Sequence, residues 1–162
     1  ENAAQFDNSL GMLDSTIGDL RKTAHNLMPE ALVKYGLYDA LKDFCHRMES
    51  SSQIAINFST YGQRREYSNT ASVFIYRIVQ ELVNNAVKHA GAKNILVQIT
   101  TTEDETGITV EDDGKGFDTS ILNHSKGIGW SNIQNRVEFL KGKLDVHSQA
   151  GKGTSVLIEL SL

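Results

Sequence analysis

The sequence is short of the residues that cross-link, kink or anchor a chain. Among its 162 residues there is one cysteine, Cys45, and one proline, Pro29. A single cysteine excludes an internal disulfide framework and any multi-cysteine zinc site, so a reducing compartment is the simpler expectation. No apolar run approaches the ~18 residues that a bilayer crossing needs. There is no basic run either, and the formal net charge is −4, so nucleic acid and anionic membranes are not expected as main partners. A secretory leader pattern is missing too, and the chain begins at Glu1 rather than Met, which reads as a piece cut from a longer protein. What is present is the length of one ordinary domain with a short extension, enough to bury a core without disulfides or metals.

Residues 4–28 carry Phe6, Leu10, Leu13, Ile17, Leu20, Ala24 and Leu27 at steps of four and three, an a/d heptad seam. Pro29 ends that helix. So narrow a seam at the edge of a domain is expected to meet another helix of its own kind in a second chain, with packing on its own domain as the alternative. A second helix is expected over Tyr38–Ser50, with Leu41, Phe44, Cys45 and Met48 on one face and Cys45 as a small core hydrophobe. The stretch "QIAINFST" alternates Ile54, Ile56 and Phe58 as a half-buried strand. A long helix follows over Asn69–Ala90, closed by Gly91. Strands are expected at Asn94–Thr102 and Gly107–Asp112, a helix at Ser131–Leu140, and final strands at Lys143–Ser148 and Thr154–Leu162. That order predicts an α+β protein, a two-layer sandwich with helices on one face of a mixed, largely antiparallel sheet.

Within the long helix, "ELVNNAVKHA" is unusually polar. At about 100° per residue, Glu81, Asn84, Asn85, Lys88 and His89 share one arc, and Leu82, Val83, Ala86, Val87 and Ala90 the opposite one. A solvated face is the plain explanation. Upstream, however, the polar arc is occupied by Phe74 and Ile78, and a face that changes character along its length is more simply the wall of a pocket. Glu81 and Asn85, one turn apart, are oxygen ligands of the kind Mg²⁺ takes together with waters and substrate phosphates. Lys88, a further turn on, is placed to meet phosphate charge.

Three glycine loops follow. In "VEDDGKGF", Ile108, Val110 and Asp112 share one strand face, so Asp112 ends a core-facing row. Asp-Asp-Gly is also ordinary turn chemistry. The functional alternative is that Asp112 accepts a hydrogen bond from an exocyclic amine in a cleft, while Gly114 and Gly116 let the backbone pass close to a ligand. In "SKGIGWSNIQNRVEFL", Gly127 and Gly129 precede a helix, where free amides form an anion site. In "GKGTSV", Gly151, Gly153 and Thr154 make a turn before the last strand. None of these is a P-loop or a Rossmann fingerprint.

Taken in order, the four elements resemble the ATP-binding domain of bacterial sensor histidine kinases, in the superfamily shared with gyrase, the ninety-kilodalton heat-shock chaperones and mismatch-repair ATPases. "ELVNNAVKHA" resembles the N box, "DDGKG" the first glycine box, "GIG" the second and "GKGT" the last. The likeness covers residues 53–162. It extends back through "LRKTAHNLMPEALVKYGLYDAL", which is similar to the end of the dimerisation domain in kinases paired with LuxR-type response regulators. The resemblance implies a Bergerat-type ATP-binding fold over residues 29–162, after a partial dimerisation helix over 1–28.

Position by position, the resemblance implies Mg²⁺ binding by Asn85. Glu81 would bind the metal through water or polarise the attacking group, and Lys88 and His89 would contact phosphate in the catalytic machinery. Asp112 would read adenine over a turn formed by Gly114 and Gly116. Gly127 and Gly129 would close over the phosphates, Thr154 would lie by the nucleotide, and residues 117–126 would form a short, mobile lid. ATP and Mg²⁺ are the implied cofactors, and a response regulator and a second copy of the parent the implied partners. A membrane anchor is expected only upstream in the parent, with these residues on its cytoplasmic side. The phosphoacceptor histidine is expected upstream as well: His25 sits in surroundings similar to the second dimerisation helix, and His46, His124 and His147 have no motif context. Trp130 stands where this family usually has leucine. Two other readings are an ATPase or serine kinase of the same superfamily and a dimerisation module without turnover.

Overall fold

The computed structural model describes residues 28–120 and 128–161. The heptad seam before Pro29, Gly127 and the second half of the expected lid lie outside the described residues.

The first helix, α1, spans Glu30–Ser52, so it begins earlier than the Tyr38 start expected from periodicity. Pro29 holds the N-cap position with Glu30 in the first turn, where a carboxylate meets the positive end of the helix dipole. Gly36 then leaves helical geometry (φ 74°, ψ 174°). The leading turn is thus a separate short piece, and the regular apolar pattern starts only behind the break. From there Leu37, Leu41, Phe44 and Cys45 are buried. Burial pushes the Cys45 thiol up to about 12, with Glu49 adding to it, so this cysteine packs as a hydrophobe.

Strand β1, Ala55–Tyr61, buries Ile56 fully and Phe58 partly. Helix α2, Asn69–Asn85, starts at Ser68, whose hydroxyl accepts from the Ala71 amide at 3.2 Å. The span agrees with expectation, but the last turn, Ala86–Ala90, is π-helical and ends at Gly91 in the left-handed conformation (φ 63°). Such widened i→i+5 turns change which side chains face a given neighbour. Strands β2 (Asn94–Thr101) and β3 (Thr106–Asp112) form a hairpin. Helix α3 spans Ile128–Phe139, taking Gly129 into its first turn rather than leaving it ahead of the helix. Strands β4 (Lys143–Ser148) and β5 (Thr154–Leu160) complete the chain.

The sheet order is β1-β2-β3-β5-β4, with β1 parallel to β2 and the other pairs antiparallel. All three helices lie on one face, α1 against β1, α2 across β3 and α3 over β4. The result is the two-layer α/β sandwich expected from the element order. Rungs on the helix-facing side run straight across the sheet: Ile99–Ile108–Ile158–Leu144, then Val97–Val110–Val156–Val146. Ile99, Ile108, Ile158 and Val97 are essentially inaccessible to solvent, and fully burying a side chain of this size contributes roughly 1.5–3 kcal/mol. No helix among the described residues is long and apolar enough to cross a membrane.

Candidate functional site

One rung beyond the valines the ladder turns polar. Ile95, Asp112, Thr154 and Ser148 stand in register across β2, β3, β5 and β4. Because alternate strand residues face the same side, Asp112 and Thr154 point toward the helices like the valines beside them. They close one end of a cleft of about 330 Å³. Its floor is Val110, Val156 and Val146. Leu82, Asn85 and Ala86 of α2 and His89 and Ala90 of the π turn form the opposite wall, and Lys115, Gly116, Phe117 and Trp130 close the sides. The cleft is a slot with apolar faces and polar groups at its ends, the shape that takes a planar ring system.

The two aspartates of "DDGKG" do different work. The Asp113 carboxylate accepts from the amides of Lys93 (2.7 Å) and Asn94 (2.9 Å) and from Asn94 Nδ2 (2.7 Å). These bonds, the Asn94 side chain first, hold its carboxyl down at about 2. Asp113 therefore pins the end of β3 to the start of β2. Asp112, half-buried, accepts from the Gly114 amide at 2.8 Å. Loss of solvent pushes its carboxyl above the usual range, the Gly114 bond opposes this, the Asp113 charge adds to it and the Thr154 backbone opposes it. A carboxylate kept short of water in this way is a ready acceptor for a ligand donor.

Gly114 is held by a close approach: a Cβ there would overlap the Ala90 carbonyl oxygen and the Asp112 carboxylate. The Lys115 amide donates to that same Ala90 carbonyl at 2.8 Å, so the first glycine loop is strapped to the π turn. The Gly151 amide donates to the Lys115 carbonyl at 2.6 Å, joining the first glycine loop to the last. Ser148, which no motif singles out, ties this corner together. Its hydroxyl accepts from the Phe117 amide (2.9 Å), donates to the Gly153 carbonyl (3.0 Å) and lies 2.9 Å from the Thr154 hydroxyl. Only the β4–β5 register reveals it.

Glu81 stands apart from the lining residues, with its carboxylate against the first turn of α3. The contact is close: a Cβ at Gly129 would overlap Glu81 Oε1, and the flexible carboxylate would have to move aside. Upstream on the same face Phe74 meets Phe139 of α3 edge-on at 4.9 Å and Ile78 is buried, so α3 covers the apolar half of this helix face and the polar half opens to the cleft. Arg136 of α3 is half-buried, its pKa lowered by burial and then by nearby Arg77, with Glu81 acting in the opposite direction. Sequence reading passed over this charged group, whose members come from two helices. It also treated Lys88 and His89 alike as phosphate contacts, whereas the structure separates them: both are exposed, but His89 lines the cleft and Lys88 lies outside the lining. Trp130 Nε1 is buried without an acceptor among the described residues, a condition that costs about 1–3 kcal/mol.

An apolar slot ending in an aspartate, set between a helix layer and a mixed sheet, defines a sandwich with a small-molecule cleft. The same architecture is found in the histidine kinase domain of the blue-light activated kinase from Erythrobacter litoralis EL346 (TM-score 0.67, 22% identity, 78% of this chain and 65% of that one). Residues 70–162 match the family described as histidine kinase-, DNA gyrase B-, and HSP90-like ATPase, and the chain belongs to that family. Among curated relatives, sensor histidine kinase ComP of Bacillus subtilis (strain 168) is 32% identical over 93% of this chain and 20% of its own length. The signal transduction histidine-protein kinase/phosphatase DegS of Brevibacillus brevis is 27% identical over 93% of this chain and 39% of its own. The chain thus spans less than half the length of these relatives, and its homologues are sensor histidine kinases.

Proposed function

We propose that this chain is the ATP-binding catalytic part of a sensor histidine kinase, working in two-component signalling. The carrying observation is Asp112, a desolvated acceptor at the end of an apolar slot. Adenine lies in the slot and donates its exocyclic amine to Asp112; guanine has a carbonyl at that position and is rejected, since two acceptors face each other. The sugar and phosphates then run toward Asn85, His89 and the start of α3, over Gly129 and Gly127. Thr154 and the Gly114–Gly116 turn border the nucleotide, and Lys88 meets phosphate.

Among the described residues no three His, Cys, Asp or Glu side chains are grouped to hold a metal by themselves. Asn85 and Glu81, oxygen donors one turn apart on α2, are the residues that would hold Mg²⁺, which takes few protein ligands. When bound, the ion supplies neutralisation of phosphate charge. Phosphoryl transfer is otherwise positioning and electrostatics. The bond between the γ-phosphorus and the ADP oxygen breaks as a bond forms to an imidazole nitrogen upstream in the parent protein, and the phosphoryl group then passes to a response regulator, LuxR-type by resemblance. Residues 1–28 serve as the end of the dimerisation helix in a homodimeric, membrane-anchored parent, and residues 29–162 are the catalytic domain on the cytoplasmic side.

Calorimetric titration with ADP and Mg²⁺ tests this reading. Micromolar binding, worth about −8 kcal/mol, is expected, with GDP much weaker. Asp112→Asn leaves one oxygen to serve both the Gly114 amide and the adenine amine, so ADP affinity falls at least about tenfold. A folded protein that releases no heat with ADP overturns the assignment.

A further inference from the structure

Two residues that line the cleft, Phe117 at its side and Thr154 at its polar end, are held from behind by Ser148, which does not line it. Ser148 ends β4 and stands opposite Thr154 of β5, which in turn stands opposite Asp112 of β3. A serine hydroxyl has one proton and two lone pairs, and here three neighbours claim them. The Phe117 amide only donates, so it takes one lone pair, at 2.9 Å. The Gly153 carbonyl only accepts, so it takes the proton, at 3.0 Å. Were the proton given to Thr154 instead, two oxygens would face each other with lone pairs at that distance. Gly153 is itself held in place, since a Cβ there would overlap the Asp112 carbonyl oxygen. The Thr154 hydroxyl, 2.9 Å from that of Ser148, is therefore the donor to the second lone pair. With its proton spent in this way, any further partner of the Thr154 oxygen, ligand or water, has to donate. The ionised Asp112 carboxylate beside it also accepts only.

We propose that Ser148 is a positioning residue of the nucleotide site and sets the hydrogen-bonding polarity of its closed end. It holds Phe117 and Thr154 in the wall and fixes the Thr154 hydroxyl as an acceptor. That end of the slot then takes a base edge that donates and refuses one that accepts. This rests on the nucleotide reading of the cleft given above. Ser148 touches no ligand; it acts through Thr154 and Phe117.

The test compares the intact chain with Ser148→Ala by calorimetric titration with ADP and Mg²⁺, and with inosine diphosphate measured by its displacement of ADP. Inosine carries a carbonyl where adenine has its amine. In Ser148→Ala the Thr154 proton is released and free to meet a carbonyl, and the Phe117 amide loses its acceptor. ADP affinity is expected to fall about tenfold and inosine diphosphate affinity much less, so the preference for ADP narrows about fivefold. Loosened packing alone would weaken both nucleotides alike and leave their ratio unmoved. That result overturns the inference, as does a variant that binds ADP as tightly as the parent, and either leaves the nucleotide site standing. Should Ser148→Ala fail to fold, Ser148→Cys keeps a side chain of similar shape whose thiol bonds only weakly, and the same ratio decides. A parent chain that gives no heat with ADP overturns the nucleotide reading and this inference with it.

Discussion

The two ends of the sheet carry polar side chains in equivalent places and treat them in opposite ways. At one end the ladder finishes in Thr101 and Thr106, 9% and 0% exposed, the two buried polar side chains among the described residues. They are closed over by a pair of tyrosines. The Tyr67 hydroxyl lies 2.8 Å from that of Thr106 and 3.2 Å from that of Tyr38, and the Tyr38 hydroxyl accepts from the Arg65 amide at 3.0 Å. Burial drives the Tyr67 phenol up to about 12. At the other end the ladder finishes in Asp112, Thr154 and Ser148, and no side chain from α1 or α2 comes down to seal them. A polar rung that is capped by the protein stabilises the fold, and one that is left facing a slot becomes a site. What differs is the roof, since the strands themselves are built alike.

That contrast is testable from the largest effect down. Ile108→Ala removes a fully buried rung lying between the two ends. It should cost about 2–5 kcal/mol, read by denaturant unfolding, and weaken both ends at once. Asp112→Asn should act at one end only, lowering ADP affinity at least about tenfold while the unfolding midpoint near neutral pH holds or rises. The sign follows from its raised pKa: such a group favours the fold in acid and loses that contribution as pH climbs through its folded value, so at neutral pH the charge is unfavourable to the fold. Tyr67→Phe should do the reverse, costing about 1 kcal/mol of stability through the Thr106 bond with ADP affinity unchanged. Asp113→Asn has the smallest effect. Its carboxyl sits at about 2, below its ordinary value of 3.8. Its stabilisation is therefore present above pH 3.8 and lost as pH falls through 2, and the gap between variant and parent in acid titrations should close over that window.

Much of this architecture was legible beforehand. The alternation of Ile95, Val97 and Ile99, the Gly91 helix stop and the amphipathic run before it each depend on neighbours within a few residues, and each appears where expected. The α1 boundary was misplaced because Gly36 breaks the helix between two pieces, and the α3 boundary because Gly129, read as part of a loop, lies in its first turn, packed against Glu81. At the site, Asp112 could be picked out by its position at the end of a core-facing row. Ser148 and Arg136 could not, since nothing in their local sequence distinguishes them.

The sequence by itself determined most of the elements, because periodicity and turn chemistry are local properties of the chain, and its four ordered motifs carried the resemblance to the family and with it the candidate set Glu81, Asn85, Lys88, His89, Asp112, Thr154 and the glycines. Only the tertiary structure decided which of them meet. Strand register put Asp112 beside Thr154 and Ser148, a π turn accompanied the separation of His89 from Lys88, and the packing of α3 on α2 set Trp130 in the wall and Glu81 against Gly129. Those juxtapositions depend on contacts between residues far apart in sequence, and such contacts leave no periodic trace along the chain.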